Sequence, residues 1–139
     1  MKNNITIFFT LLLFCSSYCQ NLNYSSVIIP DKLKENANAV IRNNILEVTL
    51  LNIDEMIVRK KRVITILNKQ GNSFKSLYAH YDDDTKITKL SAIIYNAFGK
   101  QIKKYSKSKF LDVSAVDGGT LYSDSRVKYI DYTPITYPY

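Results

Sequence analysis

From Ala39 to Tyr132 the chain breaks into short runs of β-branched and aromatic residues separated by turn signals, at intervals of about ten residues. That rhythm leaves little room for helices. Ile45-Leu46-Glu47-Val48-Thr49-Leu50-Leu51 forms one run, bracketed by Asn44 and Asn52. Met56 to Leu67 forms the next and stops at Asn68-Lys69-Gln70-Gly71-Asn72, a cluster of turn formers. Arg59-Lys60-Lys61-Arg62 near its start and Val63-Ile64-Thr65-Ile66-Leu67 at its end predict a strand with one solvated and one buried end. From Ser76 to Tyr81 apolar and polar residues alternate, which predicts a half-buried strand because successive side chains point to opposite faces.

The same pattern continues to the C-terminus. Asp82-Asp83-Asp84 interrupts it and Ile87 to Tyr95 resumes it. Asn96-Ala97-Phe98-Gly99-Lys100 predicts a hairpin loop in which Gly99 takes a positive φ, before a lysine-rich return strand from Gln101 to Tyr105 with the character of a sheet edge. Phe110 to Val113 predicts a short strand or turn, Ser114 to Asp124 a loop, and Arg126 to Tyr132 a final strand. The expected class is all-β, a β-sandwich or open barrel of antiparallel strands, with one short N-terminal helix. Asp31 is placed to cap that helix, which runs from Lys32 to about Ala39 with Leu33 and Ala37 on one face. The chain stops at Tyr139 directly after strand-like sequence, which is expected of an incomplete domain.

Residues 1–19 have a different character. Lys2 lies in a polar lead, and Ile5 to Phe14 is apolar apart from Thr6 and Thr10. This run is too short to span a membrane, which takes about 20 residues, and it suits the core of a secretory signal. Ser17 and Cys19 occupy the small-residue positions for cleavage before Gln20. Lipidation fits poorly, because Phe14 and Tyr18 precede the two cysteines where a small residue is needed. The expected organisation is a signal peptide at 1–19, a lead-in at 20–30 and a β-domain at 31–139, exported to the periplasm or cell surface or secreted. Beyond the signal no transmembrane segment is expected.

Export has chemical consequences. Cys15 and Cys19 are the two cysteines of the chain, and both lie in the segment to be removed. The mature domain of about 120 residues can then form no disulfide, thiolate metal site or cysteine nucleophile, and its apolar core must hold it. Loss of Lys2 lowers the net charge from +7 by one, to +6. The basic residues are scattered, so solubility explains this charge better than nucleic-acid binding does, and no nucleic-acid partner is expected.

No coherent catalytic site is legible. His80 is the single histidine, no serine sits in a Gly-x-Ser-x-Gly context, and no phosphate loop, dinucleotide fingerprint or zinc spacing occurs. Asp82, Asp83 and Asp84 lack the spacing of a calcium loop and read as a solvated turn. If Arg59 to Arg62 lie in a strand, their charges divide between its two faces. Catalytic, cofactor-binding and metal-binding residues are therefore expected to be absent. One binding surface is conceivable on the tyrosine-rich C-terminal part, with Tyr122, Lys128 and Tyr129 able to stack on and hydrogen-bond a carbohydrate or polyanion.

The order of several short motifs resembles the DUF3857 domain. Ile29-Pro30-Asp31-Lys32-Leu33-Lys34 followed by Ala37-Asn38-Ala39-Val40-Ile41 is similar to that family's opening helix and strand. Ile64 to Gly71 resembles its basic strand ending in an Asn-x-x-Gly turn. Tyr81-Asp82, Ala92 to Tyr95 with Phe98-Gly99-Lys100, and Tyr122-Ser123-Asp124-Ser125-Arg126 are similar to its later elements. The resemblance covers residues 29–139. It implies an exported, non-catalytic accessory or interaction module that commonly precedes a transglutaminase-like domain with Cys, His and Asp as catalytic residues. No such downstream domain is found in this sequence, and no catalytic residue is implied for the module. The expected partner is a downstream domain or an envelope protein. The alternative is a carbohydrate- or polyanion-binding module that recognises envelope polysaccharide.

Overall fold

The computed structural model describes residues 22–115 and 124–139. Its main elements are seven antiparallel strands: β1 (Ala39–Asn52), β2 (Glu55–Ile66), β3 (Tyr78–Tyr81), β4 (Ser91–Tyr95), β5 (Gln101–Ser106), β6 (Leu111–Ser114) and β7 (Arg126–Tyr129). They form two hairpins, β1-β2 and β4-β5, and a three-stranded sheet of order β3-β7-β6. The antiparallel all-β class expected from the pattern is what the chain adopts. Among the described residues no helix is long and apolar enough to cross a membrane.

Helix α1 (Asp31–Lys34) is a single turn, shorter than the spacing of Leu33 and Ala37 predicts. Asn36 takes a positive φ of 56° and the chain is extended by Ala39. Asp31 is the first helical residue, behind Pro30, and pairs with Lys34 at 2.7 Å instead of capping the turn. So short a helix cannot stand without packing.

The β1-β2 hairpin dominates the shape. The two strands have 14 and 12 residues, well above the usual five or six, and Asn44 lies inside β1 instead of ending it. Ile53 and Asp54 close the turn, where the Asn52 side chain accepts the Asp54 N–H at 2.9 Å. β1 carries one extra residue at Arg42 and another at Leu51. A bulge re-aims its side chain. Arg42 accordingly reaches back to the carbonyls of Asn23 (2.7 Å) and Ser25 (3.0 Å). Only the base of the hairpin is covered: Thr65 and Ile66 are buried, whereas β1 is exposed from Asn43 to Asn52. Arg59 to Arg62 lie within the paired length of β2, not at a frayed end.

The principal core consists of Ile94, Phe110, Ile130 and Tyr132, with Leu77, Leu90, Ala92, Tyr105 and Tyr139 packed around it. It joins the β4-β5 hairpin to the chain on either side of β6 and β7. Between β4 and β5, Asn96 and Lys100 pair through the Asn96 N–H (2.9 Å), and Gly99 takes φ 79°, the left-handed conformation the loop requires.

Residues 22–30, featureless by periodicity, are bound to this loop. The Ser26 N–H and the hydroxyls of Ser25 and Ser26 all donate to the Ala97 carbonyl, at 2.9–3.1 Å. Tyr24 stacks on Tyr95 with ring centroids 4.3 Å apart. Ser25, Ser26 and Ile29 are buried, so the lead-in belongs to the fold.

Candidate functional site

On the three-stranded sheet, β7 lies between β3 and β6, with Ala79 and Asp112 opposite Lys128 and with Tyr81 and Ser114 opposite Arg126. Strand alternation places Tyr81, Asp112, Arg126 and Lys128 on one face. There they form a polar cluster. The Tyr81 hydroxyl donates to Asp112 Oδ2 at 2.6 Å, and Arg126 Nε donates to both Tyr81 Oη (3.0 Å) and Asp112 Oδ1 (3.1 Å). Lys128 pairs with Asp112, and its ammonium sits 5.3 Å from the centre of the Tyr81 ring.

The hydrogen bond from Lys128, then that from Tyr81, with Arg126 adding to both, holds the Asp112 carboxyl down at about 2, against an ordinary 3.8. The folded carboxylate therefore binds its proton more weakly than the unfolded one. Its contribution to stability is complete above about pH 4 and is lost as the pH falls through 3.8 towards 2. The melting temperatures of the wild type and Asp112→Asn should differ at pH 5 and converge near pH 2. A difference that persists unchanged at pH 2 would mean the cluster does not ionise this way.

The tyrosines and lysine expected to form a binding surface are placed as follows. Tyr122 lies outside the described residues. Lys128 and Tyr129 are neighbours in β7 and so point to opposite faces, with Tyr129 on the side of Tyr78 and Leu111. Lys128 is engaged by Asp112 on one flank. On the other it borders a shallow, open depression lined by Ser106, Lys107, Ser108 and Phe110.

His80 is exposed and meets the Tyr78 ring edge-on at 5.4 Å. Among the described residues no hydroxyl or carboxylate hydrogen-bonds to it. The Asp82–Asp84 turn is exposed, with the Asp83 N–H donated to Asp124 Oδ2 at 2.9 Å. Among the described residues no group of three or more His, Cys, Asp or Glu is placed to hold a metal.

Among the described residues, the largest surface with nothing packed on it is the distal part of the β1-β2 hairpin. Its register places Leu46, Val48, Leu50, Met56 and Val58 on one face. All five are more than half exposed, from 52% at Val58 to 73% at Leu50. A contiguous apolar face of this kind on a two-stranded ribbon is unusual for a free surface, since such a ribbon needs further strands or a helix against it. Beside it in β2 stand Arg59, Lys60, Lys61 and Arg62, facing Glu47, Leu46, Ile45 and Asn44 across β1. None of the four takes part in a salt bridge among the described residues. The hydrophobic runs are legible in the sequence, but their exposure is not, because burial depends on what packs against them.

The described residues form an antiparallel β domain with one short α-helical turn, a tied polar cluster on its three-stranded sheet and an exposed apolar face on its long hairpin. The model of the DUF3857 family, a domain of unknown function with solved structure, matches residues 54–139, more than half of the chain. The protein belongs to this family. No curated protein and no solved structure matches the chain.

Proposed function

We propose that the protein is a non-catalytic accessory module, exported through its N-terminal signal, that works by docking a catalytic domain or an envelope protein. The observation that carries this reading is the exposed face of Leu46, Val48, Leu50, Met56 and Val58, which a solitary domain has no reason to leave in water. Burying such a face against a partner contributes about 25 cal/mol per Å² of apolar surface. The transglutaminase-like domain that commonly follows modules of this family is the partner class the resemblance suggests. Export is supported by the short apolar run from Ile5 to Phe14 and by Ser17 and Cys19 before Gln20. Recognition of polysaccharide by Lys128 and Tyr129 is the weaker reading, because the two side chains point to opposite faces of β7 and Lys128 is already paired with Asp112.

A photo-crosslinking residue at Val48, compared with one at the exposed Lys89, tests docking in the native envelope. Crosslinks to protein at Val48 and not at Lys89 are the expected result. Equal labelling at both positions would refute it. Retention on envelope polysaccharide that is lost in Lys128→Ala or Tyr129→Ala would favour the alternative. The exported protein should begin at Gln20 by intact-mass measurement, and a species retaining Cys19 would refute the cleavage site.

A further inference from the structure

The apolar face of the β1-β2 hairpin carries charge at its inner end. The register sets Leu50 opposite Met56, Val48 opposite Val58, Leu46 opposite Lys60 and Asn44 opposite Arg62. Facing residues of a ladder share a side of the sheet, so Lys60 and Arg62 stand on the same face as the apolar rows. Successive rows on one face are about 7 Å apart, which puts Lys60 one row and Arg62 two rows from Val58. Ile57, Arg59 and Lys61 alternate to the other face, where Glu47 lies opposite Arg59. The two faces therefore differ. One matches a base with an acid across the ladder, and the other joins three apolar rows to two bases with no acid between Asn44 and Arg62. Lys60 is exposed and Arg62 half-buried, and among the described residues neither pairs with a carboxylate. Arg62 is nonetheless held, because its guanidinium donates to the Ser76 hydroxyl. A neutral oxygen fixes that side chain without cancelling its charge.

We infer that the protein surface docking on this face is apolar at its centre and carries carboxylates where it meets Lys60 and Arg62, and that these two residues select the partner. The inference rests on the reading of the protein as a docking module. It concerns the chemistry of the surface that covers Leu46, Val48, Leu50, Met56 and Val58, and it holds equally for a domain joined to this chain and for a separate protein. Opposite potentials across an interface favour the right partner, and like charges oppose wrong ones. A second copy applied through the same face would bring the same two bases. An anionic lipid layer would satisfy them, but the apolar rows hold none of the aromatic residues that anchor a chain at a membrane interface, and Asp54 closes the tip beyond them. An acidic-rimmed protein surface meets neither obstacle.

The test is made in the native envelope with the photo-crosslinking residue at Val48. Lys60→Glu combined with Arg62→Glu should lower the yield of crosslinked protein about tenfold or more, because like charges then face each other. Arg59→Glu combined with Lys61→Glu reverses as much charge on the other face and should change the yield less than about twofold. Melting temperatures show whether each variant keeps its fold. Lys60→Gln combined with Arg62→Gln removes the charge without reversing it and should give an intermediate yield. High salt should weaken the wild-type crosslink and leave that of the glutamine variant unchanged.

The segment crosslinked at Val48, sequenced by mass spectrometry, should carry aspartate or glutamate beside its apolar residues. Exchanging those acids for lysine should restore crosslinking to the Lys60→Glu, Arg62→Glu variant. Equal losses from the two charge-reversed variants, or no loss from either, would overturn the inference. A captured segment without carboxylates, a second copy or lipid would overturn it equally. If Val48 captures a partner protein regardless of Lys60 and Arg62, the docking module stands and the acidic complement falls. If the wild type captures nothing at Val48, the docking reading fails and this inference with it.

Discussion

Gly71→Ala should destabilise the fold by about 3 kcal/mol or more, at the upper end of what overpacking costs. A Cβ at Gly71 would lie 2.1 Å from the Asn38 carbonyl oxygen, 2.9 Å from its carbon and 3.0 Å from Cγ2 of Ile66. The oxygen cannot retreat freely, because it accepts the Leu67 N–H at 2.9 Å and so closes the base of the long hairpin. Gly71 cannot move away freely either. Its N–H is held by the Asn68 side chain at 3.1 Å, and Asn68 in turn donates to the Asn38 side chain at 3.0 Å. Domains of this size have about 5–15 kcal/mol in total, so the variant should show a much lower urea midpoint with an unchanged slope. A wild-type midpoint would mean that the close approach of Gly71 to Asn38 does not exist in solution.

Ile66→Ala should cost about 2–5 kcal/mol, the range for truncating a buried isoleucine. Ile66 is 1% exposed, contacts the site of Gly71 and holds Tyr139 through its backbone. The matching control is Val48→Ala in the same hairpin, 58% exposed, which should change stability by less than about 0.5 kcal/mol. Similar losses in the two variants, measured by chemical denaturation, would show that the distal hairpin is covered in solution. Because Gly71 and Ile66 touch, the double variant should lose less than the sum of the single losses.

This contrast marks how far the sequence could be read. Ile66 and Val48 are both β-branched residues in apolar runs; the basic residues at 59–62 set the buried end of β2 apart from its solvated part, but no such local signal marks Val48 as exposed. Their burial differs because Tyr139 and the 69–74 turn cover the base of the hairpin, and among the described residues nothing covers its middle. Gly71 was legible as part of a turn. Its actual constraint is a contact with Asn38, far away along the chain. Gly99 is the opposite case, because its positive φ is a local demand that the Asn-Ala-Phe-Gly-Lys loop announces. Helix α1 was over-extended because an apolar spacing of four says nothing about Asn36 reversing its backbone. The Tyr81–Asp112–Arg126–Lys128 cluster could not be seen as a unit, since three separate strands must be in register before those side chains meet.

The sequence by itself determined the all-β class, the order of turns, the character of the N-terminal 19 residues and the absence of cysteine beyond them. These are properties of periodicity and composition, carried by residues near one another in the chain. The tertiary structure alone decided that the lead-in at 22–30 is bound to Ala97, that Lys128 is paired with Asp112, and that Tyr139 pairs with Ile66 at the base of β2. The physical reason is the same in each case. A side chain's neighbours, and whether a backbone N–H finds a partner, depend on segments brought together by folding from distant parts of the chain.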